Sequence, residues 1–201
     1  MRRREKWHRL PPARVADLDG FAELIDPALL TPEQFVELIA VLDMLGTAGT
    51  GVRLSGLRTE TFIRFLDKAS REQLAALMAH PRLRYVVFAE LFDRMAAHLD
   101  PGKVAGLRAV VHWAFTGSPD SDSAADGLDR YETRIREGVC TTGDEPTADP
   151  RVTITISPVD FLRVVTGAVS TPMLFLSGKV KVKGDIAFAA TLIGNFDLPR
   201  A

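Results

Sequence analysis

The chain has 201 residues, 46% of them apolar and 25% charged, and carries a formal net charge of -1. That length suits one large domain or a smaller one with an extension, and the near balance of charge argues against a nucleic-acid partner. Cys140 is the single cysteine, which excludes an intrachain disulfide and a cysteine-built zinc site.

The first ten residues, MRRREKWHRL, are basic but lead into no apolar core of signal-peptide length. No run of about 18 apolar residues follows anywhere, and the expectation is a soluble cytoplasmic protein. Residues 1–18 read as a flexible basic lead-in broken by Pro11-Pro12.

Residues 19–84 read as a helical extension. Thr31-Pro32-Glu33-Gln34 supplies a capping box with proline in the first turn, and Phe35, Leu38, Ile39, Leu42 and Leu45 then recur at helical spacing. Gly46–Gly56 is a glycine-rich loop without the GK[ST] ending of a phosphate loop. A second helix is expected from Thr59, and a third behind the capping box Ser70–Gln73. A longer one spans 82–99, stopped by Asp100-Pro101-Gly102.

The period then changes. Ala109, Val111, Trp113 and Phe115 alternate in a buried strand. After the polar loop 117–127, Tyr131 to Val139 alternates as a strand with one wet face. A second polar loop, 141–150, precedes a third strand at Val152, Ile154 and Ile156. Ser157-Pro158 caps a short helix that ends at Gly167. Leu174–Lys183 reads as a fourth strand, with room for a short fifth before it. Asp185 caps a last helix whose apolar residues nearly surround it, so that helix is expected to be largely buried.

Three stretches carry a resemblance: LFDRMAAHLDPGKVAGLRAVVHWAFTG, VTITISPVDFLRVVTG and LFLSGKVKVKGDIAFAATL. Together they resemble the sterol carrier protein 2 (SCP2) domain: a helix, three antiparallel strands, a helix, further strands and a final helix over residues 85–197. The resemblance implies an α+β fold, a mixed sheet of about five strands covered by helices, here with the N-terminal helical extension added. It also implies an apolar tunnel that holds a hydrophobic small molecule: a fatty acyl chain, acyl-CoA, or a sterol-like or polyketide-like compound. The residues expected to line it are Trp113, Phe115, Ile154, Phe161, Val165, Phe175, Val180, Ile186, Phe188 and Ile193.

No catalytic cluster accompanies these residues, so a non-catalytic binder or carrier without cofactor is expected. His8, His80, His98 and His112 show no HxxxH or HExxH spacing, and no metal site is expected. Two alternatives stay open. An enzyme using the same chamber would need a polar group inside it, such as His112, Tyr131 or Asp160. An interaction module would work through the helical extension, with a homodimer as one form. Lys179, Lys181 and Lys183 share one face of a strand; they read as a solvated edge or as a docking patch for an anionic membrane or an acyl carrier. Arg2, Arg3, Arg4 and Lys6, with Trp7, read as a solubilising tail or a second such patch.

Overall fold

The structure, a computed structural model, describes residues 17–117 and 128–199. The expectations for the basic lead-in before Asp17 and for most of the 117–127 loop lie outside these residues. The chain enters through α1 (Leu18–Leu24), α2 (Pro32–Thr47), α3 (Thr59–Lys68), α4 (Arg71–Met78) and α5 (Pro81–Ala97). Both expected capping boxes form: Thr31 and Gln34 at the start of α2, and Ser70 and Gln73 at the start of α4. Each satisfies backbone N–H groups that a helix start leaves without an internal partner. Gln73 has a second task. Its buried amide nitrogen donates to the carbonyls of Pro27 and Leu30, both at 2.7 Å, and so fixes the segment ahead of α2.

Five strands form one sheet: β1 (Arg108–Phe115), β2 (Asp129–Arg136), β3 (Val139–Gly143), β4 (Val152–Ile156) and β5 (Val180–Gly184). Their order is β3-β2-β1-β4-β5. The fold is therefore α+β with a mixed five-stranded sheet covered by helices and preceded by a helical region. The helices of the second half are α6 (Pro158–Val165), α7 (Thr171–Leu176) and α8 (Ile186–Leu192).

Four local expectations are corrected. The strand read through Val139 is a hairpin, because Glu137 and Gly138 both take positive φ, 56° and 77°, as a two-residue turn with the twist of the flanking strands requires. β3 thus occupies the start of what reads as a polar loop. The strands expected at Ala109, Tyr131 and Val152 are not all antiparallel: the third of them, β4, joins β1 in parallel, with Trp113 beside Ile154. The segment after β3 crosses the sheet to bring β4 to the far side of β1, as a parallel pair demands. Residues 174–179 are not strand. Pro172 sits in the first turn of α7, and the short apolar run that follows suits helix or strand equally by pattern alone. Finally, α8 is not largely buried, since Ile186 is 55% exposed.

The inward face of the sheet carries Val111, Trp113 and Phe115 of β1, Val152, Ile154 and Ile156 of β4, and Val180 and Val182 of β5, all in register. Phe88 and Phe92 of α5 and Phe161 of α6 pack onto it, with Phe88 stacked on Phe115 at 4.3 Å and Phe92 on Tyr131 at 5.0 Å. The buried core runs without a break from Leu18 to Phe196. The boundary expected between residues 84 and 85 falls inside α5, and two buried arginines of that helix bind both sides. Arg84 donates to the carbonyl of Gly117 at 2.7 Å and pairs with Asp129. Arg94 donates to the carbonyls of Leu54 and Leu57, pairs with Glu90 at 2.7 Å, and lies over the Phe62 ring. Burial raises the Glu90 pKa, against the pull of Arg94.

Candidate apolar ligand site

A cavity of about 300 Å³ lies between the inward sheet face and α6, α7 and α8. Each element contributes at the period its geometry sets. The strands give alternate residues: Trp113 from β1, Ile154 and Ile156 from β4, Val180 and Val182 from β5. From α6 come Phe161 and Val164, and from α7 come Thr171, Pro172, Phe175 and Leu176. Ile186, Ala189, Ala190 and Ile193 complete the wall at the i, i+3, i+4, i+7 spacing of one helical face.

The lining is almost wholly hydrocarbon. Thr171 is its one hydroxyl-bearing residue, and no charged side chain contributes. Trp113 could offer an indole N–H, but that donor is spent on Thr133 Oγ1 at 2.9 Å, so the ring turns only apolar surface to the cavity. The volume is at the lower end of the roughly 300–1,000 Å³ of small-molecule pockets.

Of the residues expected from sequence to contact ligand, Trp113, Ile154, Phe161, Phe175, Val180, Ile186 and Ile193 line this cavity. Phe115, Val165 and Phe188 do not. Phe115 is fully buried beneath α5, stacked on Phe88. Val165 is buried away from the lining on α6, and Phe188 packs under the Arg151 guanidinium at 4.4 Å. Sequence reasoning favoured large side chains and passed over Ala189 and Ala190. Small residues at helical spacing beside large ones are the signal for them, because a void needs missing volume as much as apolar surface.

The three polar groups considered for chemistry lie elsewhere. His112 is on the outward face, 3.4 Å from Glu132. Glu132 also accepts hydrogen bonds from the Thr147 and Ala148 amides, the Thr147 hydroxyl and Arg134. Burial works to raise its pKa, but these donors prevail and hold it at about 2. Tyr131 is packed among Phe88, Phe92 and Phe115, and burial, followed by the charge of Asp129, drives its pKa upward. Asp160 turns to Arg71 of α4 at 3.0 Å and accepts from the Ser157 hydroxyl at 2.7 Å. Against the opposing effect of burial, these contacts lower its pKa. Cys140 is partly buried, and burial pushes its thiol up to about 11. Among the described residues, no three of His, Cys, Asp and Glu come together as a metal site. No described helix is long and apolar enough to cross a membrane.

The sequence profile of the alkyl sulfatase C-terminal family matches residues 76–201. The chain belongs to this family. Its matched part begins in α4 and takes in the whole sheet and every wall of the cavity. Solved structures similar to this alkyl sulfatase C-terminal chain include apo sterol carrier protein 2 from Yarrowia lipolytica. That match has 24% identity and a TM-score of 0.40, and covers 55% of this chain and 87% of that one. Sterol carrier protein 2 like 2 from Aedes aegypti matches at 20% identity and TM-score 0.40, over 53% of this chain and 94% of that one. The stereoselective inverting sec-alkylsulfatase Pisa1 from Pseudomonas sp. matches at 17% identity and TM-score 0.46, over 96% of this chain. This chain spans 33% of that enzyme's length. No curated protein matches the sequence. The α+β arrangement expected from the sequence, a mixed sheet of five strands covered by helices, is the one the alkyl sulfatase C-terminal chain adopts.

Proposed function

We propose that this chain binds the hydrocarbon part of a small molecule in the cavity between the sheet and α6, α7 and α8, and performs no chemistry there itself. The observation that carries the reading is the lining: about 300 Å³ of space walled by apolar side chains, with Thr171 as the one hydroxyl-bearing residue. Such a wall recognises hydrocarbon by excluding water and leaves any charged or polar head group outside. Fatty acyl chains, acyl-CoA and sterol-like or polyketide-like molecules all present such a part. The absence of a charged side chain from the wall supports binding over catalysis.

Native mass spectrometry of the purified chain, followed by organic extraction, tests the reading directly. A co-purifying apolar molecule is expected. A homologous series of saturated fatty acids gives the second test, read by the emission of Trp113 in a Trp7→Phe background. Each added methylene should strengthen binding about fourfold, from about 0.8 kcal/mol per group, until the cavity is full. No bound molecule and no dependence on chain length would overturn the proposal.

A second reading rests on the helical region. Leu24 is 87% exposed and Leu29 82% exposed, an uncommon display of large aliphatic side chains on neighbouring turns. Under this reading α1 and the turn after it dock a second copy of the chain. Sedimentation of the wild type beside Leu24→Asp reads it: a heavier species lost in the variant supports it, and a monomer at all concentrations refutes it.

A further inference from the structure

The cavity opens through an exposed apolar rim. Met173 is 64% exposed, Phe175 46%, Leu176 85% and Ile186 55%. Phe175, Leu176 and Ile186 are also walls of the cavity, so the rim and the interior form one continuous apolar surface. Beside it runs β5, the edge strand. Val180 and Val182 of β5 face the cavity, while Lys181 and Lys183, in register with Thr155 and Thr153, lie on its other side and are exposed. Lys179 follows α7 after Ser177 and Gly178, its amide bound to the Leu174 carbonyl at 3.0 Å. Residues 171–184 thus carry three lysines and no carboxylate. Asp185, which follows this segment, is engaged with Arg151 at 2.7 Å, and Asp160 of α6 with Arg71 at 3.0 Å.

We propose that this rim and its lysines dock the chain on an anionic lipid surface, with the cavity mouth turned toward the lipid. Apolar side chains bordered by cations whose long stems reach to the level of the head groups are suited to an interface that is hydrocarbon inside and negative outside. A second copy fits this face poorly. A two-fold contact brings each patch against itself and would set three lysines against three lysines. Docking would let an apolar ligand pass between lipid and cavity without crossing water. The proposal rests on the cavity reading above for its purpose, but its geometry stands on the rim.

Co-sedimentation of the full chain tests it. The vesicles are of phosphatidylcholine alone, or of an equimolar mixture with phosphatidylglycerol. Binding is expected to the mixed vesicles and to weaken as salt is raised. Met173→Asp, at a residue outside the cavity wall, should weaken it more than tenfold, and so should the double variant Lys181→Glu, Lys183→Glu. Met44→Asp, at a similarly exposed residue of α2 away from the rim, should change it less than twofold. So should replacing Arg2, Arg3 and Arg4 by glutamine. Loss of binding in the arginine variant with retention in the rim variants would overturn the proposal, as would equal binding to neutral vesicles. A heavier species abolished by Met173→Asp, with no vesicle binding, would overturn it in favour of a second copy. Trp113 emission with a soluble fatty acid and no vesicles separates this from the cavity reading. Uptake without vesicle binding sinks the docking alone, whereas vesicle binding without uptake supports the docking and sinks the cavity reading.

Discussion

Arg71 of α4 holds Asp160 of α6 at 3.0 Å, with the carboxylate buried and the guanidinium partly in solvent. The pair joins the N-terminal helices to the helix that carries Phe161 and Val164 to the cavity. Ser157 caps α6 by accepting from the Asp160 amide and donates its hydroxyl to the Asp160 carboxylate, so the Asp160 side chain links the cap of α6 to α4. Arg71→Ala leaves a buried carboxylate with one hydroxyl donor, and should destabilise the fold by about 1–3 kcal/mol. Asp160→Asn should cost less, since the amide keeps the shape and removes the charge. Urea unfolding of both variants, with fatty acid affinity measured alongside, checks the order.

Filling the cavity should abolish binding and spare the fold. Ala190 lines the cavity and is solvent-exposed, so a larger side chain there has room to enter without displacing core. Ala190→Trp is expected to keep the wild-type unfolding midpoint. Displacing only two methylenes of ligand costs about 1.6 kcal/mol, or more than tenfold in affinity. Unchanged affinity would place the ligand elsewhere.

Glu132 ties the segment after β3 to the outward face of the sheet, and its pKa sits at about 2 against an ordinary 4.5. A group whose pKa is depressed in the folded state stabilises it above the unfolded pKa and loses that contribution as pH falls. The Glu132 contribution should therefore be complete above about pH 5 and drain away between 4.5 and 2. Glu132→Gln should lower stability at neutral pH, because one amide oxygen cannot serve the Thr147 and Ala148 amides, the hydroxyl and Arg134 together. It should also flatten the acid limb. Urea midpoints taken between neutral pH and about pH 3 test both effects.

Gly184 ends β5 with φ of 104°, and a Cβ there would meet the carbonyl oxygen of Arg151. Gly184→Ala is expected to cost about 2 kcal/mol or more, from a backbone that L side chains avoid and a clash with main chain that cannot swing away. The loss should concentrate at the β4–β5 edge. Hydrogen exchange at Val182 should rise more than at Val111, which lies in the central strand.

Local chemistry made much of this fold legible from the chain. Thr31–Gln34, Ser70–Gln73, Ser157-Pro158 and Asp185 each cap a helix through atoms within three residues, so no distant partner had to be known. The alternation at Val111, Trp113 and Phe115 likewise names a buried strand and its inward face. Where a pattern is short, sequence alone misleads: the apolar run 173–176 suits helix or strand, and the strand expected from Leu174 is helix up to Leu176, while a turn as brief as Glu137-Gly138 hides inside an alternating run.

The amino-acid sequence by itself determined most of the helices and strands and the apolar face of each, because capping and periodicity are written in neighbouring residues, whereas the mixed sheet was implied only by the family resemblance. The tertiary structure decided which apolar residues became packing and which became wall. Phe115 and Phe161 are both buried aromatics, yet α5 covers the first while the second turns toward space that Ala189 and Ala190 leave open. A cavity is a deficit of volume among elements from distant parts of the chain, and no single stretch records it.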